Sequence, residues 1–104
     1  MKIQLYLPDL FFKVKVEEML KHAEVNYAEI SSLKKFNGDL LIANLEDEGV
    51  IDLVQTFPSQ VICFCSHVNI NLMFKAKSAG CEHVYQRSVF FIKLPQIIKE
   101  KIKN

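Results

Sequence analysis

Residues 38–46, which read GDLLIANLE, constrain the fold more than any other part of the chain. A glycine and an aspartate are followed by four apolar residues, by Asn44 and by a further leucine. A short apolar run bounded by turn residues is typical of a strand that is buried on both faces. Such strands belong to parallel sheets covered by helices. Asn44 is therefore expected at the carboxyl end of a central strand, where open α/β sheets place their functional sites.

The remaining patterns predict strands that alternate with helices. The apolar runs predict strands at residues 2–7, 25–30, 39–45, 61–65 and 81–86. Helical periodicity predicts a first helix at about residues 12–23, a second that ends at Pro58, and a third that ends at Gly80. Leu94, Ile98 and Ile102 predict a last helix with Pro95 in its first turn. This alternation indicates right-handed βαβ units and a parallel sheet.

Composition limits the classes of protein that fit. The 104 residues correspond to one domain, expected to span residues 1–104. Thirteen basic against twelve acidic residues argue against a general nucleic-acid binder. No apolar run is long enough for a membrane helix, and no leader segment is visible, so we expect a cytoplasmic protein without a membrane partner. The three cysteines are interpreted as buried thiols.

These residues resemble the receiver domains of response regulators, the CheY-like superfamily. In that family the third strand carries an acceptor aspartate, the fourth ends in a threonine or serine, and the fifth ends in Lys-Pro. The matching positions here are Asn44, Cys65 and Arg87, and Asp9 follows the first strand. The resemblance covers essentially the whole chain. It implies a three-layer, flavodoxin-like α/β sandwich with five parallel strands in the order 2-1-3-4-5 and four or five helices.

The resemblance also implies a candidate pocket in which most of the family's catalytic groups are replaced. Receiver domains transfer a phosphoryl group to the acceptor carboxylate with the help of Mg²⁺. Asn44 offers a neutral amide, which is a poor nucleophile. Cys65 replaces the hydroxyl residue, although a register shift by one would put Ser66 there. Arg87 replaces the lysine and could hold Asp9 or Asn44 in a permanent hydrogen bond, whereas loop carboxylates 46–48 are expected to face water.

The prediction is therefore a non-catalytic, phosphorylation-independent pseudo-receiver of two-component signalling, with no metal and no cofactor. It would act through protein partners, alone or as a homodimer. The family's usual docking face, formed by the fourth helix, fifth strand and last helix, points to a candidate partner face: Val84, Tyr85, Phe90 and Phe91.

Two alternatives stay open. The first is a small flavodoxin-like ligand-binding domain or enzyme, although the chain has only three glycines and no Gly-x-Gly phosphate cradle. The second is a regulator that is still phosphorylated, on Asp9 or Asp47. A metal site shared by the cysteines and histidines is disfavoured, because a strand length of about 17–20 Å separates Cys65 from Cys81.

Overall fold

The structure, a computed structural model, describes residues 1–103. Five strands and four α-helices alternate along this range. In chain order they are β1 (Ile3–Tyr6), α1 (Leu10–His22), β2 (Ala28–Glu29), β3 (Leu40–Asn44), α2 (Val50–Thr56), β4 (Val61–Cys65), α3 (Ile70–Ser78), β5 (His83–Gln86) and α4 (Arg87–Lys103).

The strands form one parallel sheet in the order β2-β1-β3-β4-β5. This order and the flavodoxin-like α/β architecture confirm the predicted fold class. The register pairs Asn44 with Phe64 and Cys65 with Gln86. The last residues of β3, β4 and β5 therefore end at one edge of the sheet, and the residues that follow them lie close together there.

Two apolar cores hold the three layers together. Side chains that alternate along β3 and β4 point to opposite faces, so Ile42 and Phe64 pack under α1 and α4, whereas Leu41 and Cys63 pack under α2 and α3. Every residue of β3 and β4 is buried. Burying one such large apolar side chain contributes about 1.5–3 kcal/mol, so these two strands anchor the fold.

Several predicted boundaries are confirmed. The strand at 61–65 matches β4 residue for residue. The third helix ends at Ser78, and Gly80 adopts a left-handed φ of +100°, which glycine tolerates and which stops the helix. The polar stretch at 31–37 contains only a short 3₁₀ turn, Leu33–Lys35. The second strand is shorter than predicted, because only Ala28 and Glu29 pair with β1.

The prediction for the last helix is wrong in two respects. α4 begins at Arg87, directly after β5, so Pro95 lies inside the helix and not in its first turn. The apolar stripe extends upstream of Pro95 to the buried Phe90, and this packing offsets the backbone hydrogen bond that proline removes. The side chain of Ile102 is 51% exposed, so the stripe ends at Ile98. No helix within residues 1–103 is long and apolar enough to cross a bilayer.

Replacing Leu94 by alanine should lower the free energy of unfolding by about 2–5 kcal/mol, because it empties a fully buried site. Ile92→Ala in the same helix is the matched control, since the Ile92 side chain is 78% exposed and should change stability by less than about 0.5 kcal/mol. Urea denaturation followed by circular dichroism measures both. Equal losses in the two variants would contradict the assigned orientation of α4.

Candidate functional site

The candidate site lies at the edge of the sheet where β3, β4 and β5 end. Asn44 forms the turn that opens it. Its Oδ1 accepts a hydrogen bond from the Glu46 backbone N–H at 3.0 Å, and its carbonyl accepts one from the Asp47 N–H at 3.0 Å. A side-chain bond to the backbone two residues on is the usual Asx turn. This turn directs Glu46 toward the end of β4.

The Glu46 carboxylate joins three segments of the chain. Its Oε1 accepts hydrogen bonds from the Ser66 backbone N–H and from Arg87 Nη2, each at 2.9 Å. Its Oε2 accepts one from Asn69 Nδ2. The expectation that Glu46 faces water is therefore wrong, as is the expectation that Arg87 holds Asp9 or Asn44. We call Glu46, Ser66, Asn69 and Arg87 the Glu46 network.

Arg87 takes part because β5 runs directly into α4, which makes Arg87 the first residue of that helix. Its guanidinium lies 5.2 Å from the centre of the Phe12 ring, so the cation rests on an aromatic face while it pairs with Glu46. The side chain keeps 42% exposure, which weakens the ion pair through solvent screening. Phe12 itself packs edge-on against the buried Phe64.

Asp9 and Cys65 are not part of the network. The Asp9 carboxylate caps α1 by accepting hydrogen bonds from the backbone N–H groups of Phe11 and Phe12, at 2.9 and 3.4 Å. Cys65 is completely buried, and its Sγ lies 3.9 Å from the Asn69 carbonyl. Burial raises the pKa of the Cys65 thiol, as does the Glu46 charge, so the sulfur stays neutral.

Ser66 contributes its backbone and not its hydroxyl. The N–H points at Glu46, whereas Oγ accepts a hydrogen bond from the Val68 N–H at 3.4 Å and so turns the loop after β4. The structure thus brings together Asn44, Ser66 and Arg87 of the five predicted pocket residues. Sequence reasoning missed the group that connects them, Glu46, and also Asn69. The only sequence signal was that a carboxylate follows β3 and a cation follows β5, the strands on either side of β4.

The carboxyl groups of Glu46 and Asp47 lie in the same loop, but their pKa values are shifted in opposite directions. Burial raises the pKa of Glu46, but hydrogen bonds from Arg87, the Ser66 N–H and Asn69 outweigh it and lower the pKa overall. Burial also raises the pKa of Asp47, and the charges of Asp9 and Glu46 raise it further. Within residues 1–103, Oδ2 of Asp47 and Nε of Arg87 are the buried side-chain atoms without a hydrogen-bond partner.

The residues at this edge do not fit the Mg²⁺ that receiver domains use. Both oxygens of Glu46 are engaged by protein donors, and Asp9 caps a helix. The second oxygen of Asp9 and Oδ2 of Asp47 are left for a metal ion. Across the described range, no three acidic, cysteine or histidine side chains are grouped closely enough to hold a metal ion. Mg²⁺ requires several oxygen ligands in octahedral geometry, which this donor set does not supply.

The predicted partner face needs correction. Val84 and Phe90 are buried in the two cores and cannot contact a partner. Tyr85 is half-buried beneath Lys93, with its hydroxyl 2.9 Å from His83 Nδ1. Phe91 is also half-buried, but it faces α1 and stacks on Phe12. The strongly exposed apolar residues of α3 and α4 are instead Ile70, Phe74 and Ile92.

Comparison with known proteins supports the fold. No protein-family model matches the chain, and no curated protein matches it. Among solved structures, it is similar to a response regulator from Thermotoga maritima, with a TM-score of 0.73 and 15% identity over 99% of this chain and 98% of that chain. It is also similar to a response regulator receiver domain from Rhodospirillum rubrum, with a TM-score of 0.65 and 16% identity over 93% of this chain and 90% of that chain. At such identities these structures show a shared fold.

Glu46→Gln should lower the free energy of unfolding at pH 7 by about 1–2 kcal/mol, because the charge-assisted hydrogen bonds in a partly exposed site are weakened. The folded-state pKa of Glu46 lies below its unfolded value of about 4.3, so this stabilisation is present above that pH and is lost as pH falls through the folded pKa. Urea denaturation at pH 7 and pH 3 tests it. Glu48→Gln, at an exposed position of the same loop, is the control; equal effects at pH 7 would contradict the network.

Asp47→Asn should raise the melting temperature at pH 7 by a few degrees. Its folded-state pKa lies above the ordinary value, so wild type is most stable below that value and loses stability as pH rises through the raised pKa. The neutral amide removes repulsion from Asp9 and Glu46. Thermal unfolding at pH 7 and pH 3.5 should show the gain only at the higher pH. Asp52→Asn, exposed on α2, should show no gain, and a gain there of equal size would refute the local explanation.

Proposed function

We propose that this chain is a receiver-like regulatory domain that acts through protein–protein contacts without being phosphorylated. The observation that carries the proposal is the Glu46 network. A carboxylate of the chain itself already occupies the hydrogen-bond donors at the carboxyl edge of the sheet. The receiver-like fold supplies the regulatory context.

The chemistry of the edge supports this reading. A phosphoryl group attached after β3 would need a backbone N–H from the end of β4 and a cation from the end of β5, since such donors stabilise anionic oxygens. Ser66 and Arg87 are these two donors, and Glu46 uses both. The Glu46 carboxylate therefore stands in for the phosphoryl oxygens. It holds one arrangement of the loop without any transfer reaction.

Asn44 supports the same conclusion from the acceptor side. Its Oδ1 belongs to a neutral amide and already accepts the Glu46 N–H. A nucleophile for phosphoryl transfer needs an ionised oxygen. We propose that Asn44 works as a turn residue that positions Glu46, and that the domain has no enzymatic activity.

The exposed apolar residues support a role in binding proteins. Ile70 and Phe74 are one helical turn apart on α3, and both are strongly exposed. Val89 and Lys93 are also one helical turn apart on α4, and the Lys93 ammonium lies over the ring of Tyr85 on β5. Aromatic and aliphatic side chains in such positions are typical anchors of protein interfaces. The partner is a protein of a signalling pathway or a second copy, and the near-neutral net charge argues against nucleic acid.

One observation favours a second candidate function, that of a live receiver with Asp47 as acceptor. Its Oδ2 has no hydrogen-bond partner and lies in the loop that follows β3. However, the raised pKa of Asp47 reflects an environment that disfavours the ionised form, which is the nucleophilic one. A phosphorylation assay distinguishes these two candidate functions.

Acetyl phosphate with Mg²⁺, followed by intact-mass measurement, should leave the wild-type protein unmodified. Asn44→Asp should also stay unmodified, because Glu46 still occupies the donors and repels the new carboxylate. The double variant Asn44→Asp/Glu46→Ala should become phosphorylated, since it restores an acceptor and frees Ser66 N–H and Arg87. Amide NMR spectra with beryllofluoride, a phosphoryl mimic, should likewise show a response only in the double variant.

The controls separate the parts of the proposal. Glu46→Ala alone should stay unmodified, because it has free donors but no acceptor. A phosphorylated wild type would overturn the proposed function, and its loss in Asp47→Asn would identify Asp47 as the acceptor. A phosphorylated Asn44→Asp single variant would show that Glu46 does not block the pocket. A folded but unreactive double variant would show that the block lies elsewhere.

A further inference from the structure

A long apolar groove runs between α1 and α4, on the sheet face that carries both helices. Its larger part has a volume of about 640 Å³, and its apolar residues are Met19, Ala23, Phe91 and Pro95. A second depression of about 360 Å³ continues it toward Ile98 and Ile102 and shares Ala23 with the first. We call the two together the α1–α4 groove.

The shape of the groove fits an elongated occupant. On the α4 side it extends from Phe91 to Ile102, which at 1.5 Å per residue is about 16 Å, or three helical turns. Compact small-molecule pockets enclose most of their ligand. A channel that is open along about three turns of α4 and about two turns of α1 instead matches the way an amphipathic helix lays its apolar face into a groove.

The rim of the groove is basic. Lys15, His22 and Lys99 border it, against one acid, Glu18. The ammonium of Lys15 lies 4.6 Å from the centre of the Phe91 ring, so its charge is held at the end of the apolar floor. Lys99 borders both parts of the groove. Two lysines spaced along an apolar channel are complementary to a helix whose apolar stripe is flanked by acidic residues.

Pro95 lies inside α4 and shapes the groove wall. A proline inside a helix costs about 3 kcal/mol and leaves the carbonyl of the residue four positions earlier, Phe91, without its helical donor. Pro95 itself is exposed, and the buried neighbours Phe90 and Leu94 pack α4 against the core, which offsets this cost. Pro95 and Phe91 both contribute apolar surface to the groove.

We propose that the α1–α4 groove binds an acidic amphipathic helix of a partner protein. Its apolar residues would contact Met19, Ala23 and Phe91, and its carboxylates would pair with Lys15 and Lys99. The proposal rests on the proposed function in one respect, that the domain acts through protein contacts. It adds the chemical class of the partner and a docking surface that shares no residue with the Glu46 network.

The probe is a stapled synthetic helix of about four turns, with leucines at i, i+4 and i+7 and glutamates at the other positions. The control peptide has lysine in place of every glutamate. In amide NMR titrations of the full chain, the acidic peptide should shift residues of α1 and α4 that border the groove. It should bind at least about tenfold more tightly than the basic peptide, and added salt should weaken it.

Matched charge reversals test the site. Lys15→Glu/Lys99→Glu should weaken binding of the acidic peptide by about tenfold or more, and should bind the basic peptide better than wild type does. Lys75→Glu/Lys77→Glu, at exposed positions of α3, makes the same change in net charge and should leave both affinities unchanged. All four positions are exposed, so the variants should fold.

Several outcomes would contradict the proposal that the groove binds an acidic helix. These are equal affinity for the two peptides, shifts located on α2 or α3, or no binding. Groove shifts that grow with protein concentration in the absence of peptide would assign the surface to a second copy of the chain. Binding to anionic lipid vesicles without binding to the peptide would assign it to a membrane surface.

The two proposals fail separately. If the wild type becomes phosphorylated but binds the acidic peptide through Lys15 and Lys99, the groove proposal is supported and the phosphorylation-independent function is contradicted. If the wild type stays unmodified and no peptide binds, only the groove proposal is contradicted.

Discussion

The burial of β3 and β4 on both faces is the constraint on which the rest of this structure depends. Their side chains fill two cores, and helices must cover both faces of the sheet. The backbone polar groups of the central strands pair along the sheet, so polar side chains can gather only where the strands end. Asn44, Ser66 and Arg87 come together there because three parallel strands end at one edge. The polar chemistry of the protein follows from where its apolar strands stop.

At that edge one carboxylate, that of Glu46, connects three separate segments of the chain. Glu46 accepts hydrogen bonds from the segment after β4, from the start of α3 and from the start of α4. Each donor is only partly shielded from water, so each bond contributes modestly, but together they fix three loops relative to one another. A phosphoryl group would need the same donors. Glu46 occupies these donors in this structure, and on that basis we propose that the edge is a fixed structural element and that recognition takes place on the helical surfaces.

Those surfaces differ in kind. The cores take Val84 and Phe90 out of contact with solvent, so only part of the face around β5 is available to a partner. The α1–α4 groove combines an apolar floor with a rim on which Lys15 and Lys99 lie. An apolar floor with charged side chains along its edge is the arrangement that binds an amphipathic helix, which is why we propose this groove as the docking surface.

The sequence by itself indicated strands that alternate with helices in a parallel sheet and the sheet edge expected to carry a site, whereas the strand order came from the resemblance to receiver domains. Val61–Cys65 and Gly80 were readable because an apolar run and a helix-stopping glycine are local signals. The partners of side chains were not readable. Glu46 turns inward because an Asx turn at Asn44 and the register of β4 place two donors beside it, and both depend on contacts between distant segments. Likewise, periodicity could not show that Phe90 is buried while Ile92 is exposed, or that packing carries α4 past Pro95. Only the tertiary structure fixes these, because a pattern reports how often apolar residues recur and not which residue each one meets.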